Sequence, residues 1–93
     1  MTQLNSVLLE GLLSNYYEED KTGICFTVKN AHGGQLVYVR CYAVDKQAAF
    51  LVAHYDKARR QGLRVVGYLE YDPLNADSFV VFCEHIELIP RKK

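Results

Sequence analysis

Hydrophobic periodicity changes twice along this chain, and that pattern constrains its fold more than any other feature. From Leu4 to Ala43, and again from Leu63 to Ile89, apolar residues recur mainly at period two, the spacing of half-buried strands. Between Asp45 and Gly62 they recur at three and four, the spacing of one helical face. Leu4–Leu13 reads as a first strand, with Val7, Leu9, Gly11 and Leu13 on one face and Leu8, Glu10 and Leu12 on the other. Ser14–Gly23 breaks the alternation and reads as a loop, with Glu18, Glu19 and Asp20 as a solvated acidic cluster. Ile24–Lys29 is a second strand. Gly33-Gly34 supplies the positive φ of a tight hairpin within Asn30–Gln35, and Leu36–Ala43 is the return strand.

Asp45 is a favourable N-cap, and Ala48, Leu51, Val52, Tyr55 and Ala58 form the apolar stripe of the helix that follows. Lys57, Arg59 and Arg60 suit the macrodipole of its last turn, and Gly62 is its stop. Leu63–Tyr71 is a fourth strand, with Leu63, Val65, Gly67 and Leu69 on one side. Asp72–Ser78, containing Pro73 and Asn75, is a turn, and Phe79–Ile89 is the last strand. The order predicts an all-β chain with one helix: an OB-fold, a five-stranded Greek-key barrel whose helix, between strands three and four, plugs one end. A ferredoxin-like sandwich needs a second helix, and no segment supplies one. Residues 1–90 form a single domain in this reading, and Arg91-Lys92-Lys93 is a short basic tail.

The 93 residues are enough for one domain at roughly 150 residues per domain. Forty-nine per cent are hydrophobic and 24% charged, a globular balance. Lys plus Arg and Asp plus Glu each number 11, which excludes a simple polybasic binder of nucleic acid or membrane. Cys25, Cys41 and Cys83 lie in apolar stretches and are too few for a disulfide framework. The start lacks a basic segment followed by an apolar run, so no signal peptide is expected. The longest apolar run, Ala48–Ala53, falls far short of the roughly 18 residues that span a bilayer. A cytoplasmic protein follows.

Asn5-Ser6-Val7-Leu8-Leu9-Glu10-Gly11-Leu12, and Phe26-Thr27-Val28 followed by Lys29-Asn30, are similar to the opening and second strands of bacterial single-stranded DNA-binding proteins. Gly62, leading into Arg64-Val65-Val66-Gly67-Tyr68-Leu69, resembles that family's fourth strand, and Cys83-Glu84-His85-Ile86-Glu87-Leu88 its closing strand. The likeness extends equally to the primosomal replication protein that shares the fold. It implies sequence-nonspecific binding of single-stranded DNA in replication, repair or recombination. It further implies nucleoid association and self-association as a homodimer or homotetramer, with Leu4, Leu8 and Leu12 as interface residues. Other replication proteins are further partners on this reading. The chain departs from the family in its short hairpins, its lack of Trp and the missing acidic tail, which argues against extended wrapping and tail-mediated recruitment.

Binding single strands requires aromatic faces for bases and cations along the backbone. On the third strand Leu36, Tyr38, Arg40 and Tyr42 alternate against Val37, Val39, Cys41 and Ala43, which read as the core face. Tyr38, Arg40 and Tyr42 should therefore point outward, with Lys29, Arg64 and Tyr68 of the same parity on neighbouring strands. Tyr42 resembles the family's base-stacking aromatic on that strand. Tyr38, Tyr42 and Tyr68 would stack bases while Lys29, Arg40 and Arg64 neutralise phosphates. Tyr16 and Tyr17 are loop aromatics that could stack bases or pack, and Lys92 and Lys93 are a solvated terminus.

Cys83 and His85 share a face at period two, but metal spacing is absent, and neither a metal nor another cofactor is expected. His32 and His54 have no nucleophile nearby in sequence, and Gly33-Gly34 lacks the Lys and Ser/Thr of a phosphate loop. No enzyme is expected. The alternative function is an OB-fold protein–protein subunit of a replication or repair assembly, with little DNA affinity, whose tyrosine face docks a partner.

Overall fold

In a computed structural model the strands close on one another, so that almost every backbone ladder has a neighbour. The structure describes residues 3–18, 23–72 and 75–90, without the side chains at 16–18 and 76. The readings made for Tyr16, Tyr17 and Glu18 as side chains, and for Glu19, Asp20, Pro73, Lys92 and Lys93, lie outside these described residues. The elements are β1 (Val7–Glu18), β2 (Gly23–His32), β3 (Gln35–Val44), α1 (Asp45–Ala53), α2 (Tyr55–Arg60), β4 (Leu63–Asp72) and β5 (Asn75–Leu88). The barrel order is β1-β2-β3-β5-β4. This is the OB-fold order, with the helical segment between β3 and β4.

β1 serves two neighbours. Val7–Gly11 pairs with β4, and Leu12–Glu18 pairs with β2. The strand therefore runs on to Glu18, into the stretch read from sequence as the Ser14–Gly23 loop. A bulge at Ser14, between the pairs Leu13↔Val28 and Asn15↔Thr27, shifts the register and breaks the alternation without ending the strand. It also begins at Val7 rather than Leu4. β5 likewise starts at Asn75, inside the segment read as the Asp72–Ser78 turn. Gly33 and Gly34, at φ 58° and 81°, make the expected tight turn between β2 and β3.

The interior is filled from alternate positions of each strand. Ile24, Phe26 and Val28 face inward from β2, Cys41 and Ala43 from β3, and Leu63 and Val65 from β4. Phe26, 1% exposed, is the bulkiest wholly buried side chain. Truncating it to Ala would cost about 3–5 kcal/mol. Val37 departs from the core face assigned to it and is 46% exposed, because the β2–β3 hairpin runs past the barrel end. Leu69 is exposed for the same reason on the β4–β5 hairpin.

The helical segment is two pieces, not one. His54, at φ −122° and ψ 27°, interrupts it, although its amide still donates to the Phe50 carbonyl at 3.0 Å. Ala48, Leu51 and Ala58 bury against the barrel, whereas Val52, assigned to the apolar stripe, is exposed. The N-cap is Val44 rather than Asp45. Asp45 takes φ 50°, a left-handed conformation that Asp tolerates better than most residues, and this turns the chain from β3 into α1. Among the described residues no helix is long and apolar enough to cross a membrane.

Candidate nucleic-acid interface

Strand alternation sends Cys41 and Ala43 into the core and Tyr42 to the outer face of β3. β3 and β5 run parallel and share only two paired positions, Cys41↔Val81 and Tyr42↔Phe82. On the far side of β5, Phe82 is paired with Tyr68 of β4. Three rings therefore lie in a row across three strands. Tyr42 and Phe82 are 6.1 Å apart between centroids at 49°, and Phe82 and Tyr68 are 5.4 Å apart at 28°. These are favourable aromatic separations, and each ring remains half-buried rather than covered. The Tyr42 ring lies over Gly23, where any side chain would collide with it.

Tyr38 stands apart from this row. It is 58% exposed and sits opposite Lys29, on the part of the β2–β3 hairpin that projects from the barrel. Lys29 is half-buried and makes no ion pair among the described residues. It borders a shallow groove of about 330 Å³ with Leu12, Leu36, Gln61 and Ile89.

The two arginines of the candidate site have their charges answered within the chain. Arg40 Nε donates to Asp72 Oδ2 at 2.8 Å, and a second nitrogen lies 3.4 Å from Cys25 Sγ. Asp72 is 5% exposed, the sole polar or charged residue among the buried ones described. Arg64 Nε donates to Glu10 Oε2 at 2.6 Å, and its Nη1 lies 3.5 Å from Glu87. The hydrogen bond and charge of Glu10, with a smaller contribution from Glu87, hold the Arg64 pKa above its ordinary value. The face that carries the rings is thus nearly neutral.

Sequence reasoning missed Phe82, Asp72 and a second aromatic pair. Phe82 completes the row only because β5 inserts between β3 and β4, a neighbour relation invisible in the order of elements. Tyr71 and Phe79 stack at 5.2 Å and 20° on the β4–β5 hairpin, 64% and 60% exposed. Their opposite positions on a hairpin were the available signal, hidden because Asp72–Ser78 read as a turn.

Cys83 and His85 do not share a face. The register passes from Val66↔His85 to Gly67↔Cys83, so Glu84 is a bulge residue; Cys83 is buried and His85 exposed. The Cys41 thiol donates to the Val39 carbonyl and the Cys83 thiol to the Val81 carbonyl, each at 3.7 Å; the adjoining Cys83 first, then burial and Cys25, pushes the Cys41 thiol far above the ordinary value. A thiol held neutral is a poor nucleophile. No group of three or more metal-ligating side chains occurs among the described residues.

Leu4 and Leu8 are 94% and 70% exposed, and Leu12 is half-buried. Leu8 is paired with Val66, also exposed, and Val7–Gly11 has a ladder partner on the β4 side only.

No protein-family model and no curated protein matches the sequence. Solved structures do match the fold. A small single-stranded DNA binding protein from Mycoplasma pneumoniae superposes with a TM-score of 0.72 at 25% identity, covering 98% of this chain and 99% of its own. The mitochondrial single-stranded DNA binding protein Rim1 from S. cerevisiae matches at a TM-score of 0.70 and 11% identity, over 99% of this chain and 100% of its own. A second Rim1 structure gives 0.71 and 12%, over 98% and 100%. The chain thus has the OB-fold of single-stranded DNA-binding proteins, matched over nearly its whole length and theirs.

Proposed function

We propose that this chain binds single-stranded DNA without sequence preference, as a non-catalytic protein of replication, repair or recombination. The observation that carries the reading is the row Tyr42–Phe82–Tyr68 on the outer face of a barrel shared with single-stranded DNA-binding proteins. Stacking a base on such a ring is worth about 1–3 kcal/mol, so a row of three holds a short strand. Tyr38 and Lys29 extend the site along the β2–β3 hairpin. Arg40 and Arg64, taken from the sequence as phosphate ligands, carry less of the phosphate charge in this reading because carboxylates already hold them. Their role is to brace the strands beneath the rings.

The chain self-associates on this reading through β1. The open side of Val7–Gly11, with Leu4, Leu8 and Leu12 beside it, suits antiparallel pairing with the same strand of a second copy about a two-fold axis. A cytoplasmic, nucleoid-associated protein fits both properties.

Fluorescence anisotropy of a labelled poly-thymidine strand at low and moderate salt tests the proposal. Saturable binding that weakens with salt is the expected result. The neutrality of the ring face favours a second reading, in which that face docks another protein. Absence of binding at low salt would overturn the first reading in favour of the second.

A further inference from the structure

The charges that engage the DNA backbone remain to be located once Arg40 and Arg64 are paired. Among the described residues the cations that form no ion pair are Lys29, Lys46, Lys57, Arg59 and Arg60. One of these is on the sheet. The other four are on the helical segment, and three of them crowd into α2, whose sequence Tyr55–Arg60 holds a single carboxylate, Asp56.

The two guanidiniums of α2 are oriented rather than loose. Arg59 lies over the Tyr55 ring, 5.6 Å from its centroid, with Nη1 3.5 Å from the Tyr55 hydroxyl. Arg60 Nε donates to the Asp56 carbonyl at 3.3 Å. Each hydrogen bond uses one nitrogen of a planar group that has five N–H donors, and the other donors make no hydrogen bond among the described residues. Pre-oriented arginines lose less freedom on meeting a phosphate than extended ones do. Both line a shallow surface depression beside Asp56, and Lys57 is exposed next to it. A helix this short needs no three cations to complement its dipole, which acts only within the last turn.

We propose that the α2 face, Lys57, Arg59 and Arg60, is a second nucleic-acid contact. It binds the phosphates of a single strand that continues beyond the aromatic row. α1 begins three residues after Tyr42, and its nine residues, about 14 Å long, stand between β3 and α2 in the chain; the ligand proposed to engage both contacts is a strand longer than the row. Bases are held on one part of the surface and most of the counter-charge is supplied on another. The inference rests on the single-strand reading above.

Wild type and the variant Lys57→Gln/Arg59→Gln/Arg60→Gln are titrated with thymidine strands of roughly 5 and roughly 30 nucleotides, bracketing the usual OB-fold site size of about 4–16. Circular dichroism melting monitors folding. The short strand should bind both proteins alike, while the variant's affinity for the long strand falls and its salt slope drops by about 2, at about 0.7 per phosphate contact. The charge-conserving Arg59→Lys/Arg60→Lys variant should keep the wild-type slope. If the triple variant fails to fold, Lys57→Gln and Arg60→Gln singly should each lower the slope by about 0.7. Equal slopes in wild type and variant, with wild type binding both strands, would overturn this proposal and leave the aromatic site standing. Wild type binding neither strand would overturn both. Equal DNA slopes with polyglutamate binding lost in the variant would reassign the face to an acidic protein partner.

Discussion

Arg40 and Asp72 form an ion pair that crosses β5: the arginine is on β3, the aspartate on β4, and β5 lies between them in the barrel. The pair spans the same three strands as the aromatic row. Asp72 is nearly inaccessible while 35% of the Arg40 side chain is exposed, so the carboxylate is the more strongly desolvated partner. Such a carboxylate is tolerated in the barrel wall because the guanidinium answers it.

Asp72→Asn keeps the volume and removes the charge. It should lower stability by about 1–3 kcal/mol in urea titration, less than for a wholly buried pair because Arg40 is partly hydrated. The same change removes the carboxylate charge that answers Arg40, so the salt slope for single-stranded DNA should rise by up to about 0.7. Loss of stability without a change in slope would show that Arg40 stays away from phosphate even without the Asp72 charge.

Phe82→Ala removes the middle ring of the row and should weaken single-strand binding by about 1–3 kcal/mol at every salt concentration, as should Tyr42→Ala. Duplex of the same length should bind weakly and be indifferent to either change. Tyr71→Ala, distant from the row on the β4–β5 hairpin, discriminates: an equal loss would extend the stacking surface to the Tyr71–Phe79 pair.

Leu8→Glu places a charge where β1 would meet a second copy. Leu8 is 70% exposed, so the barrel should melt within about 0.5 kcal/mol of wild type. Sedimentation velocity should show the oligomer dissociating. An unchanged sedimentation coefficient would place any interface elsewhere.

Cys41 gives the chain an alkaline limit. Its folded-state pKa is raised, so the neutral thiol stabilises the fold fully below its ordinary pKa of 9.0. That contribution is lost as pH climbs above this value, because the unfolded chain ionises there and the folded one does not. The urea midpoint of wild type should fall more steeply above pH 9 than that of Cys41→Ala. In native protein at about pH 8 the thiol should resist iodoacetamide, because almost none is thiolate. Rapid alkylation without unfolding would contradict the burial.

Much of the fold was legible because alternation and a single helical interruption survive in the sequence. Ile24, Phe26 and Val28 declare the core face of β2, and Gly33-Gly34 declares its turn. What was hidden depends on single unpaired residues and on neighbours distant in the chain. The bulges at Ser14 and Glu84 each shift the register, so β1 looked shorter than it is and His85 was placed beside Cys83. Two of the three rings of the aromatic row, Tyr42 and Tyr68, were readable from parity, whereas Phe82 required knowing that β5 separates their strands. The arginines were readable as outward, but their carboxylate partners lie 32 residues away in one case and 54 in the other.

The parallel join between β3 and β5 has two paired positions, and Tyr42 and Phe82 are one of them. Every other join of the barrel is longer. A base laid across those two rings therefore touches both sides of the weakest closure in the wall. A strand stacked there acts as a clasp: part of its binding free energy goes into keeping the barrel shut, and opening at that join would release it.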